Sequence, residues 1–365
     1  MRETRFSTGI PRILPWKTAP IPILSLVIFA TCFAFCASSA AGQEIAPKKH
    51  LVGNKAPKAY LPYASNLPLE QSSKDITRVL VSIHSSGFDA LQYLDNAEAA
   101  ASKVRGATKE TLIVAPQFFE KKAIPGRIPD DMLFWTVSPF RGSSRGAEGP
   151  NATTVSISAY EVLDDWLRDL ADREKFPQLK DIVLVGHSGG GQMVQRYAVV
   201  GKFEPPDGIQ ARYVVSAPSA YAYPTGVRAV PGRKLRFATP DKRKISACDN
   251  YNNWGYGLEK PYGYFKGVDP DTIRERYASR HLYYICGAKD ADPKDAAISK
   301  NCGAMMQGRH RRERMQVFFA YLVHTYGDAI KRRHGIAIVP GMGHYGRGNM
   351  TSKAGLKFLF APNPE

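Results

Sequence analysis

The run Asp181-Ile182-Val183-Leu184-Val185-Gly186-His187-Ser188-Gly189-Gly190-Gly191-Gln192-Met193-Val194-Gln195-Arg196-Tyr197 decides the fold. It opens on a short unbroken apolar stretch, Ile182–Val185, the pattern of a strand buried on both faces. Gly191–Tyr197 opens a helix. Between them Gly186-His187-Ser188-Gly189-Gly190 matches G-x-S-x-G. A serine at a sharp strand-to-helix turn is lifted out of the sheet, and its neighbours must be small because the backbone there is strained. Gly186 and Gly190 meet that need. The helix that follows presents its positive dipole end to a developing oxyanion. A nucleotide-binding glycine loop is the competing reading, but no Lys follows and no G-x-G-x-x-G precedes a ribose-binding acid. Ser188 is therefore the candidate nucleophile.

Outward from this stretch the chain alternates. Strands are expected at Val79–Ile83, Thr111–Ala115, Tyr213–Ser216, Leu282–Cys286 and Ile336–Val339, all near-continuous apolar runs. Helices are expected at Asp89–Arg105, Ser158–Arg173, Gly189–Val200, Glu313–Tyr326 and Ser352–Phe360. This alternation indicates a mostly parallel, doubly wound α/β sheet with helices on both faces. Two long segments, about 117–156 and 218–270, break the rhythm. Both leave from strand C-terminal ends, where such sheets bind ligands, and both read as lid-like insertions. Their aromatic residues suggest a partly apolar cleft lined by Phe118, Trp135 and Trp254.

A nucleophilic serine needs a base, and the chain has 8 histidines. His344 sits in Pro340-Gly341-Met342-Gly343-His344, directly after the last expected strand, where a glycine-bounded loop can place an imidazole over Ser188. His187 is adjacent to Ser188 in sequence and is expected to point elsewhere. The orienting acid follows the strand Leu282–Cys286, in Gly287-Ala288-Lys289-Asp290-Ala291-Asp292-Pro293. Asp290 lies three residues past Gly287, whereas Asp292 precedes a proline that biases it to an extended conformation. The preceding strand ends in Ser216-Ala217-Pro218-Ser219 and offers no acid. Asp290, Asp292 and Asp295 do not make a calcium loop, which needs a central glycine and a distal Glu.

The chain order Ser188, Asp290, His344 is that of the α/β-hydrolase superfamily. The chain resembles exported bacterial members of that superfamily over most of residues 75–360. The shared features are the His84-Ser85 turn after an early strand, the Gly186–Gly190 turn, the Gly287-x-x-Asp290 turn and the Gly341-x-Gly343-His344 turn. The resemblance implies an α/β-hydrolase fold and a Ser-His-Asp triad that cleaves an ester through an acyl-enzyme, with no cofactor and no metal. It places the oxyanion amides at Gly189 and Ser86. Ser85 stands where the family usually has glycine, so the second donor is Ser86 or Ser85. The rivals are amidase, peptidase, lipase or polyester depolymerase activity on the same fold, and an inactive binding protein on a hydrolase scaffold. The expected partner is a small or polymeric ester; nucleic acid is not.

The 365 residues are 44% hydrophobic and 23% charged, a globular composition that excludes wholesale disorder and a multi-span membrane protein. Residues 1–41 form their own unit: Arg2, Arg5, Arg12 and Lys17, then an uncharged run ending Ala37-Ser38-Ser39-Ala40-Ala41. That is a signal peptide pattern, with a single N-terminal membrane anchor as the alternative. Either exports residues 42–365, a single domain, to the periplasm, the medium or the outer face of a membrane. The net charge of +17 includes clusters at Arg228–Lys244 and Arg309–Arg314, read as solvated faces or as a surface attracted to an anionic envelope. Of the 5 cysteines, Cys32 and Cys36 fall in the leader and Cys286 in a strand. Cys248 and Cys302, in loop-like segments, are expected to pair in an oxidising compartment. The leader pattern predicts that intact-mass measurement of protein recovered from the envelope or medium finds a chain shortened by about 41 residues. A full-length mass in the cytosolic fraction would contradict it.

Overall fold

The computed structural model describes residues 44–52, 59–124, 126–136, 138–141, 157–230, 232, 235–261 and 263–362. All of them belong to the unit 42–365. The expected signal peptide and part of the first insertion, 142–156, lie outside the described residues.

Among the described residues ten strands form: β1 Lys48–Val52, β2 Ala59–Ser65, β3 Arg78–Ile83, β4 Thr111–Pro116, β5 Asp181–His187, β6 Gln210–Ser216, β7 Arg228–Val230, β8 Arg236–Ala238, β9 His281–Gly287 and β10 His334–Val339. The helices are α1 Ala90–Ala101, α2 Ala107–Glu110, α3 Ala159–Leu170, α4 Gly189–Val200, α5 Lys242–Ala247, α6 Pro270–Ser279, α7 Cys302–Met305, α8 Arg311–Tyr326, α9 Gly346–Thr351 and α10 Lys353–Phe360. Eight strands make one sheet in the order β1-β2-β4-β3-β5-β6-β9-β10. From β4 across to β10 every pairing is parallel, while β1 and β2 are antiparallel additions at one edge. β7 and β8 form a separate hairpin within the second insertion.

The apolar runs are continuous because both sheet faces are covered. Ile182 and Leu184 point into one core with Met193 and Tyr197 of α4 and Phe318 and Leu322 of α8. Val183 and Val185 point into the opposite core with Ala97 and Ala100 of α1 and Leu359 of α10. Helix starts follow local chemistry. Asp89 accepts from the Gln92 amide at 2.8 Å at the head of α1. Ser158 and Glu161 form a reciprocal capping box at the head of α3. Ser352 caps α10 through the Gly355 amide at 3.0 Å.

The insertions differ from the sequence expectation. Phe118 and Trp135 are fully buried and pack on each other at 5.5 Å. Trp254 packs on Phe265 at 4.3 Å. These rings anchor the insertions to the core instead of lining a cleft. The basic clusters are also partly internal. Arg228 is 1% exposed, and its guanidinium donates to the carbonyls of Tyr251 at 3.0 Å and Tyr256 at 2.9 Å. Arg314, wholly buried, donates to the carbonyls of Ser219, Gly308 and Ser299. Such arginines tie loop backbone together and leave no charge on the surface. Cys248 and Cys302 form a disulfide, and Cys286 is a buried free thiol. Among the described residues no helix is long and apolar enough to cross a membrane.

His334, at the start of β10, lies beneath α6. Its Nδ1 accepts from the Tyr284 hydroxyl and its Nε2–H donates to the Tyr277 carbonyl, both at 3.2 Å. Burial pushes its pKa down to about 3. An unfolded histidine takes up a proton near pH 6.5, so below that pH the unfolded chain binds a proton that the native one refuses. The stability linked to His334 is thus complete above pH ~6.5 and is lost as the pH falls toward the folded value. Urea midpoints measured from pH 7 to 4 are expected to fall less steeply in His334→Gln, by about one proton. Identical slopes would contradict this.

Candidate active site

β5 is the centre of the parallel sheet, and Ser188 follows its last residue with φ 56° and ψ −114°. A non-glycine residue rarely adopts this positive φ. It is held there by close backbone packing. The Ser188 amide donates to the Ser216 carbonyl of β6 at 2.9 Å. A Cβ on Gly186 would collide with the Gly190 carbonyl, and one on Gly190 with the Ile83 and His84 carbonyls of β3. The glycines therefore let α4 start directly against two strand ends.

The neighbouring strand β3 supplies the turn Ser85–Phe88, closed by the Phe88 amide donating to the Ser85 carbonyl at 3.0 Å. The Ser86 nitrogen lies 3.0 Å from where a Cβ on Gly189 would sit. The Ser86 amide and the first turn of α4 thus adjoin, and Ser86, not Ser85, abuts Gly189. Neither the Ser86 nor the Gly189 amide has a backbone acceptor among the described residues. His84 fixes this turn. Its Nδ1–H donates to the Ser85 carbonyl at 2.8 Å and its Nε2 accepts from the Phe118 amide at 2.9 Å. Burial pushes its pKa down to about 4, so it stays neutral.

β9 and β10 end beside one another. A Cβ on Gly287 would strike the Met342 and Gly343 carbonyls, and the Lys289 amide donates to the Met342 carbonyl at 2.7 Å. The acid turn and the histidine loop are therefore stitched together. Across that seam His344 Nδ1 meets Asp290 Oδ2 at 2.7 Å. The other oxygen, Oδ1, faces Arg311 of α8 at 3.3 Å, and Arg311 also binds Asp295 at 2.5 Å. Arg311 is 1% and Asp290 5% exposed. Burial alone would raise the Asp290 pKa; its bonds to His344 and Arg311 outweigh that and hold it below the usual carboxylate value. Asp292 is exposed and accepts from the Lys294 amide within its own turn. Asp290 and Asp295 thus share Arg311, while Asp292 is bonded only within its own turn.

His187 does not point away from the site. Its ring lies 4.4 Å from that of His344. The Asn349 amide donates to Ser216 Oγ at 3.0 Å, and Ser216 Oγ–H donates to His187 Nδ1 at 2.9 Å. Burial, then the adjacent His344, pushes its pKa down to about 3. A neutral ring therefore supports the candidate base. Nothing in the linear pattern separates this role from a routine turn residue.

Ser188 and Ser86 line two cavities. The larger, about 770 Å³, is also walled by Gly189, Thr136, Gln192, Arg196 and Tyr256. The smaller, about 380 Å³, is walled by Asn96, His187, His344, Tyr345 and Arg347. Phe118, Trp135 and Trp254 line neither, so that expectation is corrected: their large apolar surfaces are satisfied in the core, and the apolar lining of the larger cavity includes Phe88, Phe140 and Ile298 instead. Arg196 on α4 clamps both insertions, donating to the Phe140 carbonyl at 3.1 Å and the Gly255 carbonyl at 2.9 Å.

The search of curated proteins found no match. Among solved structures, poly(aspartic acid) hydrolase-1 from Sphingomonas sp. KT-1 aligns with a TM-score of 0.55 at 18% identity, covering 87% of this chain and 99% of that one. LpqC, a poly(3-hydroxybutyrate) depolymerase from Bordetella parapertussis, aligns with a TM-score of 0.54 at 17% identity, covering 88% and 93%. These likenesses are of fold alone. The sequence model of the alpha/beta hydrolase family matches residues 81–351, from β3 through α9, and the chain belongs to the alpha/beta hydrolase family.

Proposed function

We propose that this chain is an exported serine hydrolase that cleaves an ester bond through an acyl-enzyme. The observation that carries the reading is the 2.7 Å contact between His344 Nδ1 and Asp290 Oδ2, made where His344 shares a cavity wall with Ser188. The acid fixes the tautomer: with the Nδ1 proton held by Asp290, Nε2 is left to accept the Ser188 proton. Ser188 Oγ then attacks the carbonyl carbon. The amides of Ser86 and Gly189 receive the negative charge that develops on the carbonyl oxygen. The imidazolium returns its proton to the leaving alcohol, and water resolves the acyl-enzyme by the same route in reverse.

The surroundings support this chemistry. His187 is neutral, so it adds no positive charge against a His344 imidazolium. Asp290 is held ionised beside Arg311, so it can offset that imidazolium. The disulfide supports export, because such bonds persist in oxidising compartments.

Asp290→Asn is expected to lower kcat on a chromogenic ester by about 10³- to 10⁴-fold, because an amide favours the wrong imidazole tautomer. Asp292→Asn is expected to keep most activity, and circular dichroism should find both folded. A crippled Asp292→Asn beside a normal Asp290→Asn would overturn the assignment of the acid. Matched p-nitrophenyl esters and p-nitroanilides test the bond type: faster turnover of the anilides would replace the ester reading with an amidase.

A further inference from the structure

The two cavities at Ser188 are not equivalent. Gly189, an oxyanion donor, lines only the larger one, whereas His344 lines only the smaller. A general acid must lie within hydrogen-bond reach of the atom it protonates. The leaving oxygen, and whatever it carries, must therefore lie on the His344 side. Resting on the ester-hydrolase reading, this divides the site: the acyl group takes the larger cavity and the alcohol takes the smaller.

The walls of the smaller cavity specify the alcohol. Asn96, on α1, is 6% exposed, and its amide makes no hydrogen bond among the described residues. His187 is 5% exposed. Because Ser216 donates to its Nδ1, its hydrogen sits on Nε2, which has no acceptor among the described residues. These are two neutral polar groups without protein partners on the wall of one cavity, where they are open to the hydroxyls of a ligand. The cavity's two charged side chains, Arg347 and Asp95, pair with each other at 2.6 Å, so the walls carry no net charge. Tyr345, 54% exposed, stands among the lining residues.

We propose that the cavity bounded by Asn96, His187, His344 and Tyr345 is a leaving-group subsite for a compact neutral polyol, of glycerol to monosaccharide type. In the cleavage step the Ser188 Oγ–carbonyl carbon bond forms and the carbonyl carbon–alkoxy oxygen bond breaks. The departing oxygen takes the proton that His344 had removed from Ser188. The polyol leaves neutral, with its remaining hydroxyls bonded to the Asn96 amide and the His187 Nε2–H. An alkyl alcohol of the same length would desolvate both groups without replacing their bonds.

The test uses 1-glyceryl and n-propyl esters of one acyl chain, chosen as the best p-nitrophenyl substrate. They differ only by two hydroxyls. The exported protein is expected to favour the glyceryl ester in kcat/KM by about tenfold or more, and Asn96→Leu is expected to bring the ratio toward one. A second readout needs no variant. With the p-nitrophenyl ester as donor, glycerol is expected to capture the acyl-enzyme in preference to equimolar 1-propanol. A glyceryl-to-propyl ratio near one, with equal capture by the two alcohols, would overturn the subsite while leaving the hydrolase intact. Absence of any Ser188-dependent turnover of p-nitrophenyl esters would instead overturn the ester-hydrolase reading, and this proposal with it.

Discussion

Everything in the molecule that bears on chemistry converges on a serine held at φ 56°. Such a backbone costs of order 1–3 kcal/mol and persists only where its surroundings over-determine it. Here they do so from three sides. The Ser216 carbonyl of β6 takes the Ser188 amide, the strand ends of β3 press on Gly190, and Gly186 makes room for the start of α4. Removing any of these contacts would let the chain relax at Ser188. The parallel sheet is what makes the convergence achievable, because it brings the C-terminal ends of β3, β5, β6, β9 and β10 to one edge.

The second feature is how charge is managed at that edge. Asp290 and Arg311 are both nearly inaccessible to water, and each would be costly to bury alone. Paired, and with Asp295 on the same guanidinium nitrogen, they leave a carboxylate that stays ionised and bonded to His344. The two histidines adjoining this array, His84 and His187, are instead kept neutral by burial. One braces the turn that carries Ser86, and the other braces the His344 ring. The site thus contains two buried histidines, His84 and His187, and a half-buried one, His344, whose duties are set by environment and not by residue type.

Much of this was legible in the sequence, for identifiable reasons. The strands β3, β4, β5, β6, β9 and β10 are apolar on both faces, so each stands out as an unbroken run. The glycines around Ser188 and Asp290 mark places where backbones approach too closely for a Cβ. The two antiparallel strands were not legible: β1 opens on Lys48-Lys49-His50, and β2 contains Pro62, a residue that argues against a central strand. The aromatics at Phe118, Trp135 and Trp254 were misplaced because composition reports that a loop is aromatic but not which way its rings turn. Arg228, Arg311 and Arg314 were misread as surface charge because their partners are mostly loop carbonyls and a distant acid, which leave no linear signature. His187 was missed for the same reason: its neighbour in space is 157 positions away in sequence.

The central claim is that Ser188 is the nucleophile and that His344 activates it. It is tested most directly by treating the intact protein with a fluorophosphonate and locating the adduct by peptide mass spectrometry, alongside His344→Ala. The account predicts one equivalent of label, confined to the peptide that carries Ser188, and labelling slowed by orders of magnitude in the variant. Label on any other residue, or labelling at an unchanged rate without His344, would contradict it.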